Sequence, residues 1–488
     1  MVVDELKYKI LQQFGFPPTQ EQANALDVFA RFLTDRNPQV VMILRGSAGT
    51  GKTLLSGAIV RTLQSIHQKV MLLAPTGRAA KVFSLNSGTP AYTIHRRIYR
   101  EKSFSGVDGQ FNLNDNLFTD TLFMVDEASM VANMGLGGMS FGSGCLLDDL
   151  VHFVYQGRND RLMLIGDKAQ LPPVGEEESP ALNAAMLQGY GLTVYECDLN
   201  EVLRQSEQSG ILYNATMIRQ MITHDDITQL PKIRFTGFSD IRQMPGAELI
   251  EALADSYHHV GLDDTIVVTR SNKRANIFNQ GIRNMVLDRE EELSQGDILM
   301  IVKNNYYWME EERKKIKEKD NQVPSNDIPA FLANGDRAKV LKVRCRIDLY
   351  GFRFATLLLQ FPDYGNYELE ATVLLDTLTS EAPALTHEQQ EQLFHQIEED
   401  YQDVPLKADR MKAIRQDQFY NALQVKFAYA VTCHKAQGGQ WAHVYVDQGY
   451  MTDDMLTPDY IHWLYTAFTR ATEMLYLVNW PETQIETS

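Results

Sequence analysis

The sequence predicts an α/β protein of two lobes, each built on a parallel sheet and carrying small insertions. The first reason is a set of short apolar runs that end in polar residues, as strands do in a parallel sheet covered on both faces. They fall into two groups: VVMIL (40–44), KVMLLAPT (69–76), TLFMVDEAS (121–129) and RLMLIGD (161–167), then DTIVVTRSN (264–272), FAYAVTCHKAQG (427–438), HVYVD (443–447) and EMLYLVNW (473–480). The second reason is length, because 488 residues exceed one domain of about 150 residues. The third is a glycine-rich turn between the first run and the helical pattern KTLLSGAIVRTLQSI, which indicates a strand, loop and helix.

Composition narrows the class of protein. A hydrophobic content of 44% and a charged content of 22% are typical of a soluble globular protein, and no run is long enough to cross a membrane. The first residues, MVVDELKYKI, lack the pattern of a secretion signal, so we expect a cytoplasmic protein with no membrane partner. Four scattered cysteines without a CxxC pair argue against a disulfide framework or a zinc site. The net charge of -17 repels a polyanion, so nucleic acid would need a local basic cleft.

Domain boundaries follow from where the strand pattern changes. We place a first α/β domain at 1–200, the first part of a second at 201–329, a β-barrel insertion at 330–378 and the remainder of the second domain at 379–488. The barrel is predicted from short strands with turn signals and no helical period. The charge-dense segment 309–327 is predicted to be a solvated loop, and the glycine-rich segment 134–144 a mobile one.

The strongest motif is GSAGTGKT, which matches G-x-x-x-x-G-K-[ST] between a strand and a helix. The backbone N–H groups of such a loop close around phosphates, its lysine reaches the β and γ oxygens, and its last residue binds Mg2+. The sequence therefore predicts a site for ATP and Mg2+. Its residues are Gly46, Ser47, Ala48, Gly49, Thr50, Gly51, Lys52 and Thr53, with Lys52 also catalytic and Thr53 also a metal ligand.

Two further motifs place polar side chains directly after predicted strands. In MVDEAS, Asp126 would hold Mg2+ and Glu127 would activate the attacking water. In GDKAQLPPVG, Gln170 would sense the γ-phosphate, although the same residues also fit an ordinary Pro-Pro turn. Because ligands of open parallel sheets bind at the carboxyl ends of the strands, we expect these groups beside the glycine-rich loop.

The ordered series GSAGTGKT, APTGRAA, DEAS, GDKAQLPPVG, VLRQ, VTCHKAQGGQ and YTAFTRA resembles the motifs of superfamily 1 helicases. QLPPVG and HKAQG resemble the RecD-like and Dda-like branch in particular. With the earlier segment PTQEQ (18–22), the motifs run from about Thr19 to Arg470 and so cover nearly the whole chain. Membership implies two RecA-like lobes with ATP between them and single-stranded DNA across their tops, moving from 5′ to 3′. It also implies that the barrel is SH3-like.

The resemblance assigns roles to further residues. It implies that Arg204 and Arg470 act as arginine fingers on the γ-phosphate and that Gln22, in PTQEQ, recognises adenine. Contacts to the DNA backbone are implied for Pro75, Thr76, Arg78, His95, Thr432, His434 and Lys435. Segment 96–120 would be a small insertion that helps to split the duplex. Its aromatic residues would be wedge or stacking residues or, as the alternative, buried packing: Tyr99, Phe104 and Phe111.

Cys433 and His434 are adjacent, which could also suggest a catalytic Cys/His pair. A nucleophilic cysteine needs a nearby base and a lowered pKa, and the sequence indicates neither. We therefore expect Cys433 to be a small residue at the end of a strand. Gly439 is expected to occupy a tight turn that requires positive φ.

The predicted function is an ATP-driven DNA helicase or translocase that acts on single-stranded DNA and on its junctions with duplex. Repair or recombination proteins are the further partners that the resemblance implies. The motifs leave three alternatives open: a DNA-dependent ATPase switch without unwinding, a subunit of a recombination nuclease complex, and an RNA-directed enzyme.

Overall fold

The computed structural model describes residues 2–101, 111–135, 142–201, 208–224, 227–318 and 331–486. Two compact units divide the chain. The first unit consists of Met1–Gln243, Ala436–Ala442 and Tyr450–Ser488, and the second of Met244–Lys435 and His443–Gly449. The predicted residues Arg204 and Phe104 lie outside the described residues, as does most of the predicted loop 134–144. No described helix has the length and apolar character that a bilayer span requires.

The first unit contains a six-stranded sheet. Its strands up to Met244 are β1 (Val40–Gly46), β2 (Lys69–Ala74), β3 (Ala91–Thr93), β4 (Tyr99–Glu101), β5 (Phe111–Leu113), β6 (Thr121–Val125), β7 (Arg161–Gly166), β8 (Thr193–Leu199) and β9 (Ile241–Met244). The sheet has the order β3-β2-β6-β7-β1-β8, and its pairs are parallel. Because β1, β6 and β7 are buried along their whole length, they appear in the sequence as continuous apolar runs. Strands β4 and β5 pair antiparallel inside the predicted insertion 96–120.

Helices cover this sheet. They are α1 (Val2–Phe14), α2 (Gln20–Thr34), α3 (Lys52–Ser65), α4 (Gly77–Ser87), α5 (Ile94–Ile98), α6 (Leu146–Gln156), α7 (Ala184–Gly189) and α8 (Gly210–Thr223). One core cluster joins Ile10 of α1, Phe29 of α2 and Leu63 of α3 to the strand residues Met42 and Met163. All five side chains are fully buried, so α1, α2 and α3 are held on the sheet by apolar packing.

The second unit contains a closed barrel and a group of parallel strands. Its strands are β10 (Thr265–Thr269), β11 (Ile298–Ile301), β12 (Arg337–Leu349), β13 (Phe352–Phe361), β14 (Tyr367–Leu374), β15 (Leu423–Phe427), β16 (Ala430–Thr432) and β17 (Trp441–Asp447), whose first two residues belong to the first unit. Strands β11 to β15 form the closed barrel. Strands β16, β10 and β17 lie side by side in that order, and their pairs are parallel. The predicted α/β class with parallel strands and an inserted barrel is thus confirmed.

The barrel differs from its predicted extent. Strands β12, β13 and β14 fall within the predicted range 330–378, whereas β11 and β15 come from either side of it. Strand β11 pairs antiparallel with both β12 and β15, and β14 pairs with β15, so the two outer segments close the ring.

The helices of the second unit are α9 (Leu249–His259), α10 (Asn272–Gly281), α11 (Tyr307–Glu318), α12 (His387–Asp400), α13 (Lys407–Arg415) and α14 (Cys433–Ala436). Helix α11 corrects the prediction of a solvated loop at 309–327, whose later residues lie outside the described part. Trp308 and Met309 are buried and anchor this helix, while Lys314 pairs with Glu311 across one turn at 2.6 Å. The described charged residues of this segment, 310–315, therefore lie half-buried or exposed on a helix.

After Tyr450 the chain belongs to the first unit again. This segment forms α15 (Pro458–Phe468) and β18 (Ala471–Val478). Strand β18 lies beside β9, and the backbone N–H of Leu475 donates to Asp240 O at 2.9 Å. Helix α15 is almost entirely buried, which explains its apolar composition.

Candidate active site

The glycine-rich loop connects β1 to α3 at the carboxyl end of the sheet. Gly49 and Gly51 have φ of 78° and 81°, a left-handed conformation that costs glycine nothing. A Cβ on Gly46 would lie 2.8 Å from Thr50 Oγ1 and 3.0 Å from Lys52 Cδ. Glycine at these positions therefore lets the loop turn tightly around the start of α3.

Side chains of the loop donate hydrogen bonds to its own carbonyl oxygens. Lys52 Nζ donates to the carbonyl oxygens of Gly46 and Ser47, at 2.8 Å for Ser47. Thr50 Oγ1 also donates to Ser47 O at 2.8 Å. The ammonium group is thus held over the loop, beside the N-terminus of α3, where anions are favoured.

Two carboxylates follow β6 on the neighbouring part of the same sheet edge. Asp126 Oδ1 accepts from the backbone N–H of Glu127 at 2.9 Å. Glu127 has a φ of 52°, which is uncommon for a residue with a side chain and turns the chain sharply after the strand. Burial, with Glu127 as the second cause, raises the pKa of Asp126 to about 7. A cation in contact with Asp126 would favour its charged form.

A cavity of about 370 Å3 in the first unit gathers most of the predicted catalytic residues. It is lined by Lys52, Thr53, Asp126, Glu127, Gln170 and Arg470. With its amide oriented to satisfy both ends, Gln170 donates to Glu127 Oε2 at 3.2 Å and accepts from Arg470 Nη2 at 3.3 Å. Gln170 therefore links the predicted general base to the predicted arginine finger.

Arg470 is 2% exposed and is fixed by neutral acceptors. Nε donates to Thr466 O at 3.0 Å, Nη1 to Gly439 O at 3.0 Å, and Nη2 to Thr469 Oγ1 at 3.1 Å. Its charge is therefore available to an anion in the cavity.

The donor set fits the predicted ligands. The glycine loop with Lys52 suits a phosphate chain, because a Cβ at Gly46 would fill the turn that the loop needs. The hydroxyl of Thr53 and the carboxylate of Asp126 are oxygen ligands of the kind that Mg2+ prefers, and both line the cavity.

Gln22 of α2 is hydrogen-bonded to the glycine loop. Gln22 is the third residue of α2 and completes a capping box with Thr19. Its Oε1 accepts a hydrogen bond from the backbone N–H of Thr19 at 3.0 Å. Its Nε2 donates to Thr50 O at 2.9 Å. Gln22 is 1% exposed and lines neither the 370 Å3 cavity nor the neighbouring one. Its predicted contact with adenine stays a prediction.

Helix α15 holds the loop 167–171, a connection that the motifs did not indicate. Tyr465 Oη donates to Asp167 Oδ2 at 2.6 Å and accepts from the N–H of Ala48 at 2.9 Å. Thr466 Oγ1 accepts from the N–H of Leu171 at 2.8 Å. The glycine loop and the loop that carries Gln170 are therefore both hydrogen-bonded to one buried helix.

The predicted DNA contacts of the first unit lie at the start of two helices. Pro75 precedes α4, and Thr76 caps it by accepting from Ala79 N at 3.2 Å. The guanidinium carbon of Arg78 lies 4.1 Å from the Trp441 ring centroid, and Nη2 donates to Gln440 O at 2.7 Å.

His95 lies in α5, where burial lowers its pKa to about 4, so this imidazole is neutral at pH 7. It can therefore meet DNA by hydrogen bonding but not by charge. Nearby, Tyr99 is buried and donates to Asp149 at 2.7 Å, which agrees with the packing alternative for this aromatic residue. Phe111 begins β5.

The remaining predicted DNA contacts lie in the second unit. Thr432 ends β16, and His434 and Lys435 follow in α14, with His434 exposed. Burial, reinforced by Lys426, lowers the pKa of Lys435 to about 8. Cys433 is fully buried beside the exposed His434, as expected of a structural residue.

The prediction of a positive φ at Gly439 is wrong. Positive φ occurs at Gly438, with 76°, and not at Gly439. A Cβ on Gly439 would lie 2.4 Å from the ring of Trp441. Glycine is therefore required at position 439 by close packing, and the turn itself is made one residue earlier.

Comparisons with known proteins find similarity to helicases. A family model described as an AAA domain matches residues 18–230, and one described as a UvrD-like helicase C-terminal domain matches residues 427–478. The chain is 32% identical over 157 residues to the ATP-dependent RecD2 DNA helicase of Deinococcus radiodurans, a match that covers 32% of this chain and 18% of that protein. It is 25% identical over 292 residues to the ATP-dependent DNA helicase dda of enterobacteria phage T4, which covers 58% of this chain and 60% of that protein.

A crystal structure of Pif1 helicase from Candida albicans aligns over 97% of both chains at 16% identity, with a TM-score of 0.44. The chain spans less than two thirds of the length of either curated relative, 18% of RecD2 and 60% of Dda. The two family models nevertheless match the segments that hold the ordered motifs, from the glycine loop to Arg470. The chain is thus similar in sequence to the ATP-dependent DNA helicases RecD2 and Dda.

Proposed function

We propose that this protein is an ATP- and Mg2+-dependent DNA helicase or translocase that moves from 5′ to 3′ on single-stranded DNA. The observation that carries the proposal is the 370 Å3 cavity, where the glycine loop, two carboxylates, a glutamine and an arginine meet in one compact unit. This combination suits phosphoryl transfer to water. Relatives named as ATP-dependent DNA helicases support the choice of reaction.

Each cavity residue has a role in hydrolysis. The loop N–H groups and Lys52 would hold the phosphates, and Thr53 with Asp126 would hold Mg2+, which offsets phosphate charge. Glu127 would orient and activate the attacking water. Arg470 would stabilise charge that develops on the γ-phosphate, together with Arg204. Gln170 links Glu127 to Arg470 through its amide, so it can match the position of the base to that of the arginine.

A route from the nucleotide to DNA runs through residues 437–441. Gln437 Nε2 donates to Leu171 O at 2.9 Å, next to Gln170. Four residues later, Trp441 packs against Arg78, whose guanidinium also binds Gln440 O. A shift of the loop that carries Gln170 would therefore change the position of Arg78, a predicted contact to the DNA backbone. Such contacts hold a strand without reading its sequence.

The test compares ATP hydrolysis with and without single-stranded DNA, and unwinding of duplexes that carry a 5′ or a 3′ tail. We expect hydrolysis to be stimulated by DNA and unwinding to start from the 5′ tail. Glu127→Gln should reduce both activities at least about a hundredfold, because the general base is lost. Glu473→Gln is the matched control, since Glu473 is an exposed carboxylate of β18 outside the cavity.

The alternatives predict different results. Stimulated hydrolysis without unwinding of either substrate would indicate an ATPase switch. Unwinding that requires a co-purifying nuclease would indicate a subunit of a recombination complex. Stronger stimulation by RNA than by DNA would make RNA the substrate, and unwinding from the 3′ tail alone would refute the polarity.

A further inference from the structure

We propose that Arg219 of α8 is a phosphate-binding residue of the nucleotide site, although it belongs to none of the recognised motifs. The inference rests on the proposed ATP site. Arg219 Nη1 donates to Ser47 Oγ, the second residue of the glycine loop, and lies 3.4 Å from Asn200 Oδ1. Its guanidinium therefore touches the phosphate-binding loop directly.

The charge of Arg219 has no anionic partner in the part of the chain that the structure describes. Both groups that it contacts are neutral, and its buried Nε has no hydrogen-bond acceptor. A half-buried guanidinium in this state is unfavourable, because partly desolvated charges are normally paired. The arrangement becomes favourable once an anion occupies the neighbouring space.

Arg45 shows the contrast within the same cavity. Both arginines line a space of about 450 Å3 that adjoins the glycine loop. Arg45 binds Glu196 at 2.7 Å and Asp198 at 2.6 Å, so its charge is neutralised inside the protein. Asp167, Glu177 and Glu178 line the same space, but Arg219 forms no ion pair with any described carboxylate, so its charge is available to an anion that enters from outside.

The position of the cavity identifies the anion. Ser47 and Asp167 line this space and also the 370 Å3 cavity that holds Lys52 and Glu127, so the two spaces meet at the glycine loop. An anion there would be a phosphate group of the bound nucleotide, since the loop is built to hold a phosphate chain. Guanidinium and phosphate form strong charge-assisted hydrogen bonds.

The experiment measures how Arg219→Gln, Arg219→Lys and the wild type bind MgADP and inorganic pyrophosphate, by competition with a fluorescent ADP analogue. We expect Arg219→Gln to weaken the binding of both ligands about tenfold or more, because a charge-assisted hydrogen bond is lost. Arg219→Lys should lose less, since it keeps the charge. Arg61→Gln is the matched control, because Arg61 of α3 donates to backbone oxygens of Asn86 and Gln13 and lines neither cavity.

Thermal unfolding separates binding from structure. Removing an unpaired charge should leave the Tm of the nucleotide-free Arg219→Gln variant unchanged or raised, while the Tm increase caused by MgADP becomes smaller. Equal affinity of wild type and Arg219→Gln for both ligands would overturn the proposal. So would a loss for ADP without a loss for pyrophosphate, or a lower Tm without ligand. If the wild type itself binds neither ligand, the proposed function fails instead.

Discussion

Tyr465 is the residue through which the buried helix α15 reaches both loops of the proposed nucleotide site. Its hydroxyl gives its proton to Asp167 and accepts from the N–H of Ala48. Burial, with Asp167 as the second cause, raises the pKa of Tyr465 well above its ordinary value. The phenol therefore keeps its proton at every pH at which the protein works, and it always serves as donor and acceptor together.

Tyr465→Phe removes this hydroxyl and keeps the ring. We expect kcat for ATP hydrolysis to fall about tenfold, because the loop that carries Gln170 loses one of its anchors, and a buried group left without its partner costs about 1–3 kcal/mol. The affinity for ADP should fall less, by several-fold at most, because the N–H of Ala48 in the glycine loop loses its acceptor as well. The measurement is steady-state hydrolysis together with ADP binding.

Tyr445→Phe is the control for Tyr465→Phe. Tyr445 is equally buried, and its hydroxyl donates to Ala252 O at 2.7 Å within the second unit. This variant should lose a similar amount of unfolding free energy and keep kcat. Equal losses of kcat in the two variants would mean that Tyr465 acts on stability alone.

At the scale of elements, helices α2 and α12 both begin with a capping box, but the two boxes have different roles. Thr19 and Gln22 form a capping box on α2, and Thr386 and Gln389 form one on α12. Each box satisfies two backbone N–H groups that a helix start leaves free. Gln22 differs because its Nε2 also reaches Thr50 O in the glycine loop. The start of α2 therefore supports a ligand site as well as a helix.

The paired variants Gln22→Ala and Gln389→Ala separate these two roles. Both should lower the free energy of unfolding by about 1 kcal/mol, because each removes half of a capping box. Gln22→Ala should in addition weaken the binding of MgADP and of pyrophosphate by several-fold, since Thr50 is no longer held. Chemical denaturation and competition binding measure the two effects. If Gln22→Ala weakens ADP alone, Gln22 acts on the adenine base and does not support the loop.

Elements with strong local patterns could be predicted from the sequence. Strand β1, the glycine loop and α3 follow one another in the chain, so an apolar run, the glycines and a helical period mark them directly. The meeting of Asp126 and Glu127 with this loop could also be predicted, because strands of a parallel sheet end at one edge. The structure places both carboxylates in the same cavity as Lys52.

Features made by distant residues could not be predicted. Tyr465 and Ala48 are 417 positions apart, and Arg219 and Ser47 are 172 apart, so no local period marks either contact. The full extent of the barrel cannot be predicted for the same reason, since the pairing of β11 with β15 is decided by closure of the ring. At 309–318 the charge pattern predicts a loop, but the segment forms α11 because Trp308 and Met309 are buried and hold it against the protein.

At the scale of the whole molecule, the net charge of -17 sets the conditions for the proposed binding of DNA. A protein this acidic repels the phosphate backbone at long range, so affinity has to come from a few cations at the contact. Lys435 is one predicted cation, and its pKa of about 8 makes its charge depend on pH. Because burial lowers this pKa, Lys435 is charged below pH 8 and neutral above it.

The salt dependence of single-stranded DNA binding tests this account. Each phosphate contact that is neutralised contributes about 0.7 to the slope of log affinity against log salt concentration. At pH 7 we expect Lys435→Gln to reduce the slope by about this amount, while affinity for ADP is unchanged. Raising the pH to 9 should reduce the slope of the wild type in the same way, because Lys435 loses its proton.

Lys435→Arg is the control that isolates this lysine, since arginine stays charged at pH 9. Burial also lowers the pKa of Lys426 to about 8, so a loss of slope that persists in Lys435→Arg would point to Lys426. A wild-type slope that is the same at pH 7 and pH 9 would remove Lys435 from the set of DNA contacts. The acidic surface would then have to be overcome by cations that keep their charge at both pH values.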